Sequence, residues 1–499
     1  MNHRIMARYL GLICIANGAA MLPCAAWAIY FREYLSLECL LASAALSFAT
    51  GLALSWWGRR AVAKVFEREA IGLVGFTWIL VSVFGALPFV FHGVLGLNDA
   101  IFESVSGFTT TGSTVLPDIE SVDKSLLFWR SLTHWLGGIG IVILFIAVLP
   151  YIGAGGKLIV RSETTGPTAS RPLPRFRESA TLIFKIYVAL TILNTAALMW
   201  AGMDLFEALI HAFGGLATGG FSNRQGSIAE YDSIAVEAVI IAFMVIGGTN
   251  FGLFAAMWLG ERNALWKDSE WRWYVAILVI ATLLVAANLT GLHTPFPHGG
   301  GESYEPISEP QHYGFGHALR VSAFQVVSCM TDTGYVTDDF DRWPFFSRMM
   351  LIVVMVIGGS AGSTSSGIKV VRLMMYGKLA YHRLESTFRP KTVRPLRING
   401  EVISETVQHR ALTFLLLYMG WFVFGCLFLS LQGLPFDSAV SAMTACLNNC
   451  GPGLEHVGAA RDFHLIGPVG TAFLSLTMLL GRLELVTILV LFMPSFWRN

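Results

Sequence analysis

Apolar runs of about twenty residues recur along this chain, and each is long enough to cross about 30 Å of hydrocarbon. Of the 499 residues, 54% are hydrophobic and 13% are charged, whereas about a quarter of the residues in a soluble domain are charged. The sequence therefore predicts an all-α polytopic membrane protein. The ten predicted spans lie approximately at 9–30, 37–57, 71–92, 127–150, 181–201, 234–259, 273–291, 348–376, 411–431 and 466–492.

The charges between these spans are distributed unevenly. The segments 153–185 and 369–410 are rich in Lys and Arg, whereas 93–126 is mainly acidic. The positive-inside rule places the first two in the cytoplasm and the third outside, so that an even number of spans leaves both termini cytoplasmic. The N-terminal run could alternatively be a cleaved signal peptide, but its removal would break this parity.

Four short glycine-bearing segments interrupt the apolar pattern. Their aligned glycines, Gly112, Gly220, Gly334 and Gly451, are 108, 114 and 117 residues apart. Each follows an apolar stretch of about a dozen residues, which suits a re-entrant half-helix rather than a full span. A second mark lies in the next span of each unit: Gly137-Gly138, Gly247-Gly248, Gly358-Gly359 and Gly481-Arg482.

The repeating unit is therefore span, half-helix, loop, span, and it occurs four times around one predicted central pore, as in potassium channels. The predicted boundaries are a two-helix N-terminal addition at 1–70 and repeats at 71–160, 178–265, 270–380 and 405–499. A single glycine pair would indicate only close helix packing, whereas four pairs in phase with four loops favour a true repeat.

Irregular backbone at membrane depth is tolerated only where it is buried or lines a wet cavity. Four such loops can stack rings of carbonyl oxygens that replace the hydration shell of a cation, and the half-helix C-termini add partial negative charge. The candidate ion-binding residues are Thr110, Thr111, Gly112, Thr218, Gly219, Gly220, Asp332, Thr333, Gly334, Asn449, Cys450 and Gly451. The Asp332 carboxylate is expected at or near the ion path, because such a charge is costly in a membrane without water or a cation.

Outer-loop acids could form a vestibule that concentrates cations, although solvated loop charge is the default explanation. These acids are Glu302, Glu305, Glu309, Asp338, Asp339 and Asp341.

Two features point to a gate. The first is a run of small residues in the third repeat, which predicts an unwound loop under the ring or, alternatively, a tight helix crossing. Its candidate gating residues are Gly358, Gly359, Ser360, Ala361, Gly362 and Ser363. The second is Arg482, which replaces the second glycine of the pair and is either a positive barrier in the pore or the partner of Glu484.

The motifs Thr109-Thr110-Thr111-Gly112, Gly219-Gly220-Phe221-Ser222 and Gly481-Arg482-Leu483-Glu484 resemble those of the TrkH/TrkG potassium-uptake subunits and, more distantly, the KtrB and HKT transporters. The resemblance covers essentially the whole chain. It implies a potassium filter, a bacterial inner-membrane location, a homodimer in membrane lipid and a cytoplasmic TrkA-type regulatory subunit. The chain departs from the resemblance at Asp332, at Cys450 and in the outer segment from His293 to His317.

Two other functions remain open at this point. The first is a sodium-permeable or sodium-coupled carrier, because filter residues alone do not separate potassium from sodium. The second is a membrane oxidoreductase, although His134 and His211 stand alone in the sequence and no nucleotide-binding motif is found. The sequence predicts no enzyme activity, no organic cofactor and no nucleic-acid partner.

Overall fold

The computed structural model describes residues 2–60, 67–152, 176–291, 313–389, 395–459 and 461–497. Most of the predicted outer insertion, including Glu302, Glu305 and Glu309, lies outside the described residues, as does most of the basic 153–185 segment.

The described residues are mostly helical. In chain order the helices are α1 His3–Phe31, α2 Tyr34–Gly58, α3 Glu67–His92, α4 Leu97–Phe108, α5 Lys124–Ile152, α6 Phe176–Trp200, α7 Leu205–Ala217, α8 Ile234–Gly247, α9 Phe251–Trp258, α10 Ala264–Lys267, α11 Ser269–Leu289, α12 Phe315–Met330, α13 Phe345–Ile357, α14 Val370–Phe388, α15 Glu405–Leu431, α16 Phe436–Asn448, α17 Pro468–Arg482, α18 Val486–Leu489 and α19 Pro494–Trp497. Two short strands, β1 Arg397–Ile398 and β2 Glu401–Val402, pair as an antiparallel hairpin.

The N-terminal addition is a close helical hairpin of α1 and α2. A Cβ added to Gly11 would lie 2.6 Å from the carbonyl oxygen of Gly51, and one added to Gly58 would lie 2.5 Å from that of Arg4. Small residues at such positions let two membrane helices approach closely enough to gain dispersion energy along their length. The hairpin packs on α3 and α5 of the first repeat.

The four predicted half-helices are present as α4, α7, α12 and α16. They have 12, 13, 16 and 13 residues, so that at about 1.5 Å per residue the longest reaches only about 24 Å. Asp204 caps α7 by accepting a hydrogen bond from the Glu207 amide at 2.7 Å, and Asp99 and Asp437 lie in the first turns of α4 and α16. Negative side chains at these positions complement the positive end of the helix dipole.

The prediction of a continuous second span is wrong in the second and fourth repeats, whereas the unwound segment predicted within the second span of the third repeat is present. The predicted span 234–259 is α8 and α9, which are bent by 89°, and 466–492 is α17 followed by Val486–Phe492, bent by 116°. The predicted span 348–376 is interrupted by a non-helical segment, residues 358–369, between α13 and α14. Glycine and small polar residues at 248–250 and 358–369 favour an open backbone over a continuous helix, whereas the break at 483–485 is formed by Leu, Glu and Leu.

Six described helices are individually long and apolar enough to cross a membrane, and the two bent pairs raise this number to eight. The helix α5, of 29 residues, covers the predicted span 127–150. The chain is therefore a multi-pass membrane protein.

Candidate functional site

The loop after each half-helix begins with the same backbone conformation. Thr110, Thr218, Asp332 and Asn449 have φ values of 53°, 55°, 59° and 56°. Residues other than glycine rarely adopt this left-handed region. It costs of order 1–3 kcal/mol per residue and persists only where the surrounding structure imposes it. This fourfold feature was not predicted from the sequence, because none of these residue types requires a positive φ.

The aligned glycines join the four loops into a closed ring. A Cβ added to Gly112 would lie 2.1 Å from the Gly219 carbonyl oxygen, and one added to Gly220 would lie 1.9 Å from that of Thr333. The ring continues from Gly334, whose added Cβ would lie 2.8 Å from the Gly451 nitrogen. It closes at Gly451, whose added Cβ would lie 3.0 Å from the Gly112 carbonyl oxygen. The loops thus follow one another in chain order around one axis.

The fourth loop departs from the symmetry. Gly112, Gly220 and Gly334 have φ values of 84°, 79° and 80°, but Gly451 is not among the residues with a positive φ. Backbone angles that a Cβ disfavours therefore account for Gly112, Gly220 and Gly334 but not for Gly451. At that position glycine is required by space, because the backbone of the first loop passes so close.

Side chains of the loops bond mainly to one another. The Oγ1 atoms of Thr109 and Thr111 are 2.7 Å apart, as are those of Thr331 and Thr333. Asn449 Nδ2 donates to Thr111 Oγ1 at 3.0 Å and so links the fourth loop to the first. Such bonds hold the loop backbone in place.

A buried ion pair supports the outer side of the ring. Arg130 Nε lies 2.5 Å from Glu103 Oε1, and both side chains are almost completely buried. Glu103 also accepts a hydrogen bond from the Val115 amide at 3.0 Å, while Arg130 donates to the Ser222 carbonyl oxygen at 3.1 Å and covers the Phe221 ring. The pair thereby ties the segment after the first loop to the segment after the second. Its sequence signal was a lone arginine in an apolar span.

The two histidines that looked isolated in the sequence are both bonded to the loops. His134 Nδ1 lies 2.7 Å from the Gly107 carbonyl oxygen, and the Phe221 amide donates to its Nε2 at 3.2 Å. His211 Nε2 lies 3.1 Å from Ser222 Oγ. Both side chains therefore position backbone around the ring.

The non-helical segment 358–369, called the intramembrane loop below, lies against the ring. Its backbone bonds to the break between α8 and α9, where the Ser360 amide donates to the Gly248 carbonyl oxygen at 2.9 Å and the Thr364 amide to that of Gly247 at 3.1 Å. The alternative of a tight helix crossing through these small residues is wrong. All six candidate gating residues, 358–363, belong to this loop.

Arg482 joins the intramembrane loop to the first repeat. Its Nη1 donates to the Thr364 carbonyl oxygen at 2.6 Å and to Ser366 Oγ at 3.3 Å, while its Nη2 donates to the Gly137 carbonyl oxygen at 3.1 Å. Glu484, offered above as its alternative partner, accepts a hydrogen bond from Arg372. The guanidinium therefore connects the loop to the wall of the pore.

The second glycine of each of the first two pairs is enclosed by the protein and has no room for a side chain. A Cβ added to Gly138 would lie 2.8 Å from Ala217 Cβ, and one added to Gly248 would lie 3.0 Å from Thr331 Cγ2. These glycines therefore pack against the half-helix end of the next repeat. Arg482 occupies the matching place between the fourth repeat and the first.

The acidic-vestibule prediction fails for the three acids that the structure describes. Asp338 accepts hydrogen bonds from Tyr313 and Trp343, Asp339 pairs with Arg342, and Asp341 accepts one from the Glu455 amide. Burial, with the nearby Asp339 charge as a smaller cause, raises the pKa of Asp341 to about 7. The outer pocket in front of the ring is lined instead by glycines, by polar and apolar side chains and by three arginines, Arg130, Arg224 and Arg461.

The helices and the ring define a class: a membrane protein in which four pseudo-symmetric repeats surround one central pore. Residues 42–499 match the TrkH family, described as cation transport protein. The chain belongs to the TrkH family.

Named relatives agree over the full length. The chain is 34% identical to the Trk system potassium uptake protein TrkH of Escherichia coli K12, with 100% of both chains covered. It is 28% identical to TrkG of the same strain over 99% of both chains. The crystal structure of the potassium transporter TrkH from Vibrio parahaemolyticus superimposes with a TM-score of 0.86 at 31% identity, again covering 100% of both chains.

Proposed function

We propose that this protein takes up potassium ions across the bacterial inner membrane. The observation that carries the proposal is the closed ring of four loops at the ends of four re-entrant helices. The full-length relatives named potassium uptake proteins support the same substrate.

The ring is the proposed selectivity filter. Its left-handed residues turn successive carbonyl groups toward the axis, where they replace the hydration shell of a potassium ion. The half-helices end at the ring, so their C-terminal partial charges favour a cation there. The proposed ion-binding residues are Thr110–Gly112, Thr218–Gly220, Asp332–Gly334 and Asn449–Gly451.

The intramembrane loop and Arg482 form the proposed gate. The loop lies on the ring and is held by hydrogen bonds from Arg482 and to the α8–α9 break. Opening requires these bonds to break together, which gives the gate two discrete arrangements. The positive guanidinium adds an electrostatic barrier while the loop is in place.

Regulation and assembly follow from the family resemblance. We propose a homodimer with both termini in the cytoplasm, controlled by a TrkA-type subunit that contacts the basic 369–410 segment. The repeats are proposed to extend over 71–160, 178–265, 270–380 and 405–499.

A sodium-permeable or sodium-coupled carrier is the second candidate. Asp332 favours it, because a carboxylate next to the ring supplies a stronger field than a carbonyl oxygen, and field strength is one basis of selectivity between the two ions.

The test is ion flux through the purified protein in liposomes with defined potassium and sodium gradients, together with rescue of a potassium-uptake-deficient bacterium. We expect potassium flux and growth at limiting potassium. Sodium flux that exceeds potassium flux would favour the second candidate. Absence of rescue and of potassium flux in a folded protein, with and without a TrkA-type subunit, would overturn the proposal.

A further inference from the structure

Glu270 ties the intramembrane loop to the start of α14. It lies in the first turn of α11 and is buried, with 5% of its surface exposed. Its Oε1 accepts hydrogen bonds from the Ala361 amide at 2.7 Å and from the Val371 amide at 3.2 Å. Because one carboxylate oxygen accepts both hydrogen bonds, a small displacement of α11 at this point alters the position of the loop and of the start of α14 together.

The same end of α11 is bonded to the β1–β2 hairpin. Asn399 Oδ1 accepts hydrogen bonds from the Ser269 amide at 2.7 Å and from Ser269 Oγ at 2.5 Å, and Asn399 Nδ2 donates to Asp268 Oδ2 at 2.6 Å. Asn399 and Gly400 both have positive φ values, 51° and 81°, as a tight hairpin turn of this kind requires. The turn therefore presents the Asn399 side chain to the helix in a fixed direction.

The hairpin also packs directly against the loop. Ile398 lies in a buried apolar cluster with Ala361 and Val371. The amides of these two residues donate the hydrogen bonds to Glu270. On its other side, Lys378 Nζ of α14 donates to the Arg397 carbonyl oxygen at 2.6 Å. Much of the hairpin surface nevertheless remains exposed, including Val402 at 56%.

We propose that the β1–β2 hairpin transmits a displacement of the basic 369–410 segment to the gate. Glu270 is the positioning residue between the hairpin and the gate. The inference rests on the proposed role of the intramembrane loop as the gate. In it, Asn399 acts through Ser269 and Glu270 on a loop that has two arrangements, which is the physical requirement for coupling between distant sites.

The test is rubidium or potassium flux through the full-length protein in liposomes, without any regulatory subunit. Asn399→Ala removes three hydrogen bonds outside the pore, and we expect it to raise basal flux by about five- to tenfold as the closed arrangement loses support. Glu270→Ala should raise flux at least as much, whereas Glu270→Gln, which keeps an acceptor oxygen, should restore flux close to that of the wild type.

The double variant Asn399→Ala/Glu270→Ala separates coupling from independent damage. If the hairpin acts through Glu270, its flux should equal that of Glu270→Ala alone; if the two act separately, the increases should multiply. Matched controls are Asn263→Ala and Glu261→Ala, two exposed residues in the α9–α11 connection, which should leave flux unchanged.

Wild-type flux in Asn399→Ala, or multiplying effects in the double variant, would overturn the inference. If Glu270→Ala does not fold, Asn399→Ala and Glu270→Gln still decide it. Flux that rises in Arg482→Ala but not in Asn399→Ala would leave the proposed function standing and would exclude only the transmission through the β1–β2 hairpin. Absence of potassium flux in both the wild type and Arg482→Ala would overturn the proposed function itself.

Discussion

Asp332 Oδ2 accepts a hydrogen bond from the Ser366 amide at 3.0 Å. This contact joins a residue of the ring directly to the intramembrane loop, within a buried part of the molecule. The Lys369 ammonium lies near enough to interact electrostatically with the same carboxylate and donates to the Ser365 carbonyl oxygen. Asp332 therefore holds the loop from the side of the ring, while Arg482 holds it from the fourth repeat.

Asp332→Ala should raise basal potassium flux by about three- to tenfold, because the lost hydrogen bond from the Ser366 amide contributes about 0.5–1.5 kcal/mol to the closed arrangement. Asp332→Asn keeps an oxygen that can accept from Ser366, so its basal flux should remain within about twofold of the wild type. The measurement is flux into liposomes, with Asp123→Ala as a control that removes a hydrogen-bonded carboxylate at the start of α5. Equal flux in the alanine and asparagine variants would contradict this role.

Arg482→Ala should also raise flux, since it removes three hydrogen bonds that hold the loop and a positive charge from the pore. Arg482→Lys keeps the charge but not the planar set of donors, so it separates the two effects. If the electrostatic barrier dominates, the lysine variant should behave like the wild type. Arg410→Ala, on the exposed face of α15, is the control, and unchanged flux in folded Arg482→Ala would argue for a purely structural residue.

Gly220→Ser should lower potassium selectivity, because the added Cβ would lie 1.9 Å from the Thr333 carbonyl oxygen and force the second and third loops apart. The backbone at this position also has a φ of 79°, which serine adopts only with strain. The readout is the ratio of potassium to sodium flux. Gly420→Ser, at a helical position with no neighbour within 4 Å, should keep the wild-type ratio. Retained selectivity in Gly220→Ser would place the filter elsewhere.

Asp341 should make stability depend on pH in a defined direction. Its pKa is raised to about 7 from 3.8, chiefly by burial and then by Asp339, so between these values the folded protein binds more protons than the unfolded chain. The contribution of protonated Asp341 to the free energy of unfolding is therefore complete below pH 3.8 and is lost as the pH rises through about 7. Asp341→Asn should raise the melting temperature above that of the wild type by more at pH 8 than at pH 5.

Thermal unfolding in detergent at these two pH values measures the difference. Asp118→Asn, an exposed acid in the segment after the first loop, is the matched control. The same shift in both variants, or none in Asp341→Asn, would contradict the assignment to this carboxyl group.

The sequence predicted the half-helices and the ring well because both depend on local information. An apolar stretch of a dozen residues is too short to span the bilayer wherever it packs, and a glycine-bearing segment interrupts it whatever its neighbours are. The same reasoning predicted the unwound backbone at 358–363. It erred on the continuity of the spans at 234–259 and 466–492, because a helix break depends on the partners that satisfy the freed backbone groups.

Only the tertiary structure decided which distant side chains support the ring and the intramembrane loop. Arg130 with Glu103, and Glu270 with Ala361 and Val371, are pairs far apart in sequence whose members look ordinary in isolation. By contrast, the left-handed backbone of Thr110, Thr218, Asp332 and Asn449 closes a local bond, because the following amide donates to a half-helix carbonyl oxygen five residues earlier, as Thr111 does to Ser106. The sequence alone determined a fourfold membrane protein with four interrupted loops, because hydrophobic length and glycine position are properties of short segments. The ordering of the loops, the tie between Asp332 and Ser366 and the contacts of Arg482 depend on segments more than a hundred residues apart or on a close approach that only the folded chain creates.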